Sequence, residues 1–99
     1  MLEAYTALFG LMEVLGKKWA VPLLIFLLFY EKTTFSQLKR QLKLTPRALS
    51  TKLKLLETLG LVEKIVISNS KKIYYVLSDR GKEISQLILK LTDVTTYIK

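Results

Sequence analysis

A mainly helical α+β fold with one small β-hairpin is predicted by three observations. Apolar residues recur at helical spacing in five separate stretches. Two runs, 61–68 and 71–78, are rich in Val, Ile and Tyr and read as strands. Capping and turn residues stand at the junctions between these segments. The chain has 99 residues, enough for one domain, 1–99, around one core. Its hydrophobic content, 51%, is high for so small and so charged a chain, so part of that surface is expected to be buried against a second copy.

The first helix is expected over about 2–15, where Leu8, Leu11, Met12 and Leu15 share one face and Gly16 reads as the stop. A second begins near Lys18 or Trp19, with Pro22 in its first turn, where a missing N–H breaks no intrahelical bond. Its run from Leu23 to Phe29 is apolar on nearly every side, which marks a helix surrounded by protein. Thr33 and Thr34 open a short third helix, and Thr34-Phe35-Ser36-Gln37 fits a capping box. Phe35, Leu38 and Leu42 form its inner edge. Leu42 to Thr45 is a turn, and Thr45-Pro46 is a strong helix start. The fourth helix then runs to about Leu59 and is stopped by Gly60. In the first strand Val62, Lys64 and Val66 face one side, Glu63, Ile65 and Ile67 the other. Ser68-Asn69-Ser70 supplies the turn before the second. Ser78 or Asp79 caps a last helix over about 79–98, with Ile84, Leu87, Ile88, Leu91, Val94 and Ile98 along one stripe. The order is that of a helix-turn-helix, about 34–59, followed by a wing, about 61–78.

The net charge of +8 is confined to residues 32–72, the helix-turn-helix and most of the wing with the residues just before it. Lys32, Lys39, Arg40, Lys43, Arg47, Lys52, Lys54, Lys64, Lys71 and Lys72 face only Glu57 and Glu63 there, and bases and acids cancel elsewhere. A positive field on a segment with the groove-reading pattern points to the phosphates of duplex DNA. On a wheel centred on Leu49, the apolar Leu53 and Leu56 fall within about 40°. Arg47, Ser50, Thr51, Lys54 and Thr58 occupy the opposite side, and none is acidic. Arg can bridge guanine O6 and N7, and hydroxyls bond several base edges, so Arg47, Ser50 and Thr51 are the expected base readers, with Lys54 meeting a base or a phosphate. Lys39, Arg40 and Lys43 are expected at phosphates, and Lys64, Lys71 and Lys72 at phosphates or the minor groove along the wing. A lysine on an edge strand also guards against aggregation. Lys52, at the border of the apolar side, is expected to snorkel. Trp19, Tyr74 and Tyr75 read as packing rather than base-stacking residues.

The chain has no Cys and no His, which excludes a disulfide framework, a thiolate nucleophile and a Cys/His zinc site. No paired carboxylates or phosphate-cradling glycine loop occur, so neither an enzyme nor a cofactor or metal is expected. The longest apolar run, Ala20–Tyr30, has eleven residues, against about 20 for a membrane span. The first charge is Glu3, unlike a secretory signal, and a cytoplasmic, nucleoid-associated protein is expected.

Four segments in order, Leu15 to Trp19, Thr34 to Leu38, Leu49 to Val62 and Tyr75 to Gly81, resemble motifs of the HxlR-type winged-helix transcription regulators, relatives of the MarR superfamily, over roughly Leu15 to Ile84. Leu15-Gly16-Lys17-Lys18-Trp19 is similar to the family's I-G-G-K-W, and Thr34-Phe35-Ser36-Gln37-Leu38 to R-F-x-E-L. Leu49 to Val62 resembles L-x-x-x-L-x-x-L-E-x-x-G-L-V, and Tyr75 to Gly81 resembles Y-x-L-[ST]-x-x-G. The resemblance implies a homodimer joined through its terminal helices, on a palindromic promoter site, with the helix from Pro46 in the major groove. The chain departs from the pattern in lacking the N-terminal Cys that senses oxidants in some members, and in a shorter wing tip without Pro.

A dimer is also expected from the residues themselves. The apolar positions Leu8, Leu11 and Met12, with Ile84, Leu87, Ile88, Leu91 and Ile98, have little left in the domain to cover them. Three functions are consistent with the sequence: a sequence-specific homodimeric regulator first, a sequence-tolerant architectural DNA-binding protein second, a winged helix used for protein interaction third. No residue cluster marks an effector site.

Overall fold

The computed structural model describes the backbone of residues 2–17 and 19–96 and the side chains of 6–13, 15–17 and 19–91. Ile98, expected on the dimerisation stripe, lies outside these residues, as do Lys18 and the side chains of Val94 and Thr95. The elements are α1 (Leu2–Leu15), α2 (Ala20–Phe29), β1 (Thr33–Thr34), α3 (Phe35–Leu42), α4 (Pro46–Thr58), β2 (Val62–Ile67), β3 (Lys72–Leu77) and α5 (Asp79–Thr96).

Each helix begins and ends for a local reason. Thr34 caps α3: its hydroxyl accepts from the Gln37 N–H while the Gln37 side chain accepts from the Thr34 N–H, the reciprocal pair expected from the sequence. Thr45 caps α4 by accepting from the Ala48 N–H, and Pro46 follows at the first helical position. At the far end of α4 the Leu61 N–H reaches the Leu56 carbonyl and the Gly60 N–H the Glu57 carbonyl. This is a Schellman stop, with Gly60 at φ +73° and the buried leucines 56 and 61 as its apolar pair. Gly16 ends α1 differently. It is not in the left-handed region, and its N–H still bonds the Met12 carbonyl at 2.8 Å.

The sheet has three strands in the order β1-β3-β2, all antiparallel. Contrary to the expectation that Thr33 and Thr34 open the third helix, the pair forms the strand β1, opposite Tyr75 and Tyr74, and α3 starts at Phe35. β-Branched residues suit an extended backbone, and Thr34 keeps that geometry as the N-cap, at φ −85° and ψ 162°. β2 and β3 pair without a bulge from Val62↔Leu77 to Ile67↔Lys72, leaving a four-residue loop, 68–71.

The core is made by Leu23, Leu24 and Leu27 of α2, Leu38 of α3, Leu49, Leu53 and Leu56 of α4, Leu61, and Val62, Tyr75 and Leu77 of the sheet. The hairpin is buried only at its base. Ile65, Val66, Ile67 and Ile73 are exposed because the strands run on past the helical layer. Tyr75 is a core residue, as its place in the amphipathic strand predicts. Ser78 ties α5 to the rest: its hydroxyl donates to the Gly60 carbonyl and accepts from the Gly81 N–H, and its own N–H donates to the Leu61 carbonyl. The buried Ser85 donates to the Gly81 carbonyl at 2.7 Å. Among the described residues no buried side-chain polar atom lacks a partner.

A candidate nucleic-acid interface

α4 is held by one face and free on the other. Leu49, Leu53 and Leu56 are at most 1% exposed, whereas Arg47, Ser50, Thr51, Lys54 and Thr58 are all exposed. The five positions the sequence places opposite the leucines therefore form a single solvent-facing surface. Their hydrogen-bonding capacity is not uniform. The Thr51 hydroxyl donates to the Arg47 carbonyl and the Thr58 hydroxyl to the Lys54 carbonyl, each at 2.9 Å. In the free protein the protons of these hydroxyls are used within the helix, which leaves each threonine an acceptor lone pair and a methyl group to present.

The remaining cations stand around this surface. Lys39 and Arg40 are exposed in the last turn of α3. Lys43 follows in the left-handed region, φ 54° and ψ 44°, where it ends α3 and starts the turn into α4. Lys71 adopts φ 55° at the end of the wing loop, and Lys72 opens β3; both are exposed. The Lys64 ammonium sits 6.0 Å above the Tyr75 ring, and the Lys32 ammonium 5.6 Å above the Tyr74 ring. Lys52 is half-buried beside a crevice of about 180 Å³ that also touches Lys17, Leu55 and Leu56, as the snorkelling expectation requires. Lys32 had no role assigned from the sequence. The signal for its placement is the β-branched Thr33-Thr34 pair opposite Tyr74-Tyr75, which makes a third strand and fixes the residue before it.

The residues expected at a dimer interface divide in two. Leu8, Met12, Leu87 and Leu91 are exposed, at 48%, 57%, 59% and 63%, together with Phe9 at 65%. Leu11 is half-buried. Ile84 and Ile88 instead pack, partly buried, against their own core, because one side of α5 lies on α2. A second crevice, of about 650 Å³, opens between α2, the sheet and the start of α5; its lining mixes the apolar Leu27, Leu28, Val76 and Leu77 with the acids Glu31, Glu63 and Asp79 and the cations Lys32 and Lys82. Among the described residues no helix is long and apolar enough to cross a membrane.

Five helices, a short strand and a β-hairpin, with α3 and α4 as a helix-turn-helix whose second helix is capped and exposed on one face, define a winged helix-turn-helix DNA-binding protein of the transcription-regulator class. The chain belongs to the HxlR-like helix-turn-helix family, whose profile matches residues 14–99. It is 34% identical to the HTH-type transcriptional regulator YvaP of Bacillus subtilis over 86 residues, 85% of this chain and 79% of that one. It is also 34% identical to YdzF of the same organism over 79 residues, 78% and 72% of the two chains. Among solved structures, a transcriptional regulator homologue from Pyrococcus horikoshii superposes with a TM-score of 0.75 at 31% identity, covering 88% of this chain and 89% of that one. A MarR-family regulator from Enterococcus faecalis shares the fold with a TM-score of 0.85 at 22% identity, over 95% and 86% of the chains. The family is one of transcription regulators and not of enzymes.

Proposed function

We propose that the chain is a sequence-specific regulator that binds a palindromic promoter site as a homodimer. The observation that carries this reading is the exposed, acid-free surface Arg47, Ser50, Thr51 and Lys54 on a helix whose other side is locked into the core. A rigidly held helix can place side chains at base edges in one register. Arg47 is the guanine reader, Ser50 the free hydroxyl, Thr51 a methyl or acceptor for thymine or an amino group, and Lys54 the bridge to phosphate. Lys39, Arg40 and Lys43 hold the backbone on one side, and Lys64, Lys71 and Lys72 on the wing hold it on the other. The exposed apolar residues of α1 and α5 support pairing of two copies, which presents two α4 helices to half-sites about one helical turn apart or a multiple of it.

Selection of genomic fragments by the purified protein at physiological salt tests this. Enrichment of a palindrome, with affinity about 10³ or more above competitor DNA, is the expected result. Retention of fragments with no shared sequence replaces the reading with an architectural role. Absence of retention leaves the protein-interaction module.

A further inference from the structure

A crevice of about 170 Å³ lies between the end of α2 and the outer side of α3, away from the base-reading face of α4. Its lining contains two cations, Lys32 and Arg40, two amides, Gln37 and Gln41, and no acid. Phe26 and Tyr30 form an aromatic wall, with ring centroids 4.5 Å apart and planes 28° from parallel. Three features fix this chemistry in place. The Gln37 carbonyl oxygen is committed to the Thr34 N–H at 3.0 Å, so its amide nitrogen is left to donate outward. Thr33, also in the lining, donates to the Tyr30 carbonyl at 3.1 Å and holds the turn that carries Lys32. The Lys32 ammonium lies 5.6 Å from the centroid of the Tyr74 ring, a cation–π partner at this end of the crevice.

A concave site with two positive charges and outward amide protons beside an aromatic wall selects an anion that carries a non-ionic ring. Arg40 offers the planar fork that matches phosphate oxygens, and Lys32 adds a point charge. The volume equals that of roughly five to six waters at about 30 Å³ each, room for a phosphate with part of an attached sugar. We propose that this crevice binds a sugar-linked phosphate group. Two sources share that chemistry: a backbone phosphate of DNA beyond the stretch read by α4, and a free nucleotide. The site stands apart from the assignment of base readers, since a mononucleotide tests it without any operator.

The test is a titration of the isotope-labelled full chain with deoxythymidine 5′-monophosphate and with inorganic phosphate at low ionic strength, followed by amide NMR. Saturable shifts are expected at Thr33, Gln37 and Gln41, with the nucleotide binding more tightly than phosphate alone because of the aromatic wall. Arg40→Gln and, independently, Gln41→Glu should weaken nucleotide binding at least tenfold. Lys90→Gln, at an exposed cation of α5 outside the proposed DNA-binding surface, should leave it unchanged. Adding a random-sequence duplex then separates the sources. Displacement of the nucleotide identifies the DNA backbone as the occupant, and retention beside bound DNA identifies a free nucleotide. The proposal is overturned if shifts at Gln37 and Gln41 are no larger or more saturable than those at Lys82 and Lys90, exposed cations of α5. It is also overturned if both variants bind the nucleotide as the parent does.

Discussion

Gly81 stands where no side chain fits. A Cβ there would overlap the Leu61 carbonyl oxygen, which cannot retreat because it accepts from the Ser78 N–H at 3.0 Å. The same three residues thus explain why a Gly follows the Ser cap by three positions and why the Gly60-Leu61 stop must sit against it. Gly81→Ala is expected to cost about 2–3 kcal/mol in urea denaturation, as an overpacked backbone contact. Gly10, with nothing within 4 Å of its would-be Cβ, supplies the contrast. Gly10→Ala should stabilise by about 0.5–1 kcal/mol, through helix propensity alone. Equal effects at the two glycines would remove the packing account. Lys43 is a residue of a different kind, in a left-handed conformation that costs an ordinary side chain roughly 1–2 kcal/mol. Asn accepts that conformation more readily and carries no charge. Lys43→Asn is therefore expected to raise the denaturation midpoint slightly while lowering by about one the slope of log affinity against log salt on nonspecific duplex. A variant that loses both stability and slope would show that Lys43 serves the fold and not the phosphate.

At the scale of elements, the recognition helix and the wing should separate experimentally. Arg47 is on a helix packed into the core, so its truncation to Ala is expected to cost about 1–3 kcal/mol at the preferred site and to relax discrimination at one base pair per half-site. Lys71→Gln, on a loop, should weaken all sequences alike. Binding measured against a panel of single-base variants distinguishes them, and a uniform loss from Arg47→Ala would move that residue to the phosphate group. The helices were legible in the sequence because their signals are local: Thr34 with Gln37, Thr45 with Pro46, and Gly60 after the last turn of α4. β1 was not, since two residues have no periodicity and the pairing partner that makes them a strand is some 40 residues away, at Tyr74 and Tyr75. The back-bonded hydroxyls of Thr51 and Thr58 were also out of reach, because a wheel gives the direction of a side chain but not its rotamer. The crevice at Lys32 and Arg40 depends on β1, and so was hidden with it.

For the whole molecule, the Cα radius of gyration of 14.5 Å exceeds the roughly 13 Å of a compact chain this long. The excess has a visible origin in the wing, which is exposed beyond its base, and in α1, whose Leu8, Phe9 and Met12 lie open to solvent. The wing carries lysines among its exposed Ile and Val residues, whereas the outer side of α5 offers Leu87 and Leu91 one turn apart, both exposed among the described residues. Helical periodicity groups Ile84, Leu87, Ile88 and Leu91 into one stripe. Burial divides it: Ile84 and Ile88 belong to the fold, Leu87 and Leu91 to whatever covers the fold. If a second copy covers it, Leu87→Glu with Leu91→Glu should convert a dimer to a folded monomer in sedimentation velocity, with the helical circular dichroism kept. Binding to an intact palindrome should then fall by orders of magnitude, since each half-site is held separately, while binding to a half-site changes little. Ile88→Glu should differ in kind, destabilising the monomer itself by placing a charge against the core. A parent chain already monomeric at micromolar concentration, or a double variant that remains dimeric, would move the interface away from α5 and require the two recognition helices to be spaced by another surface.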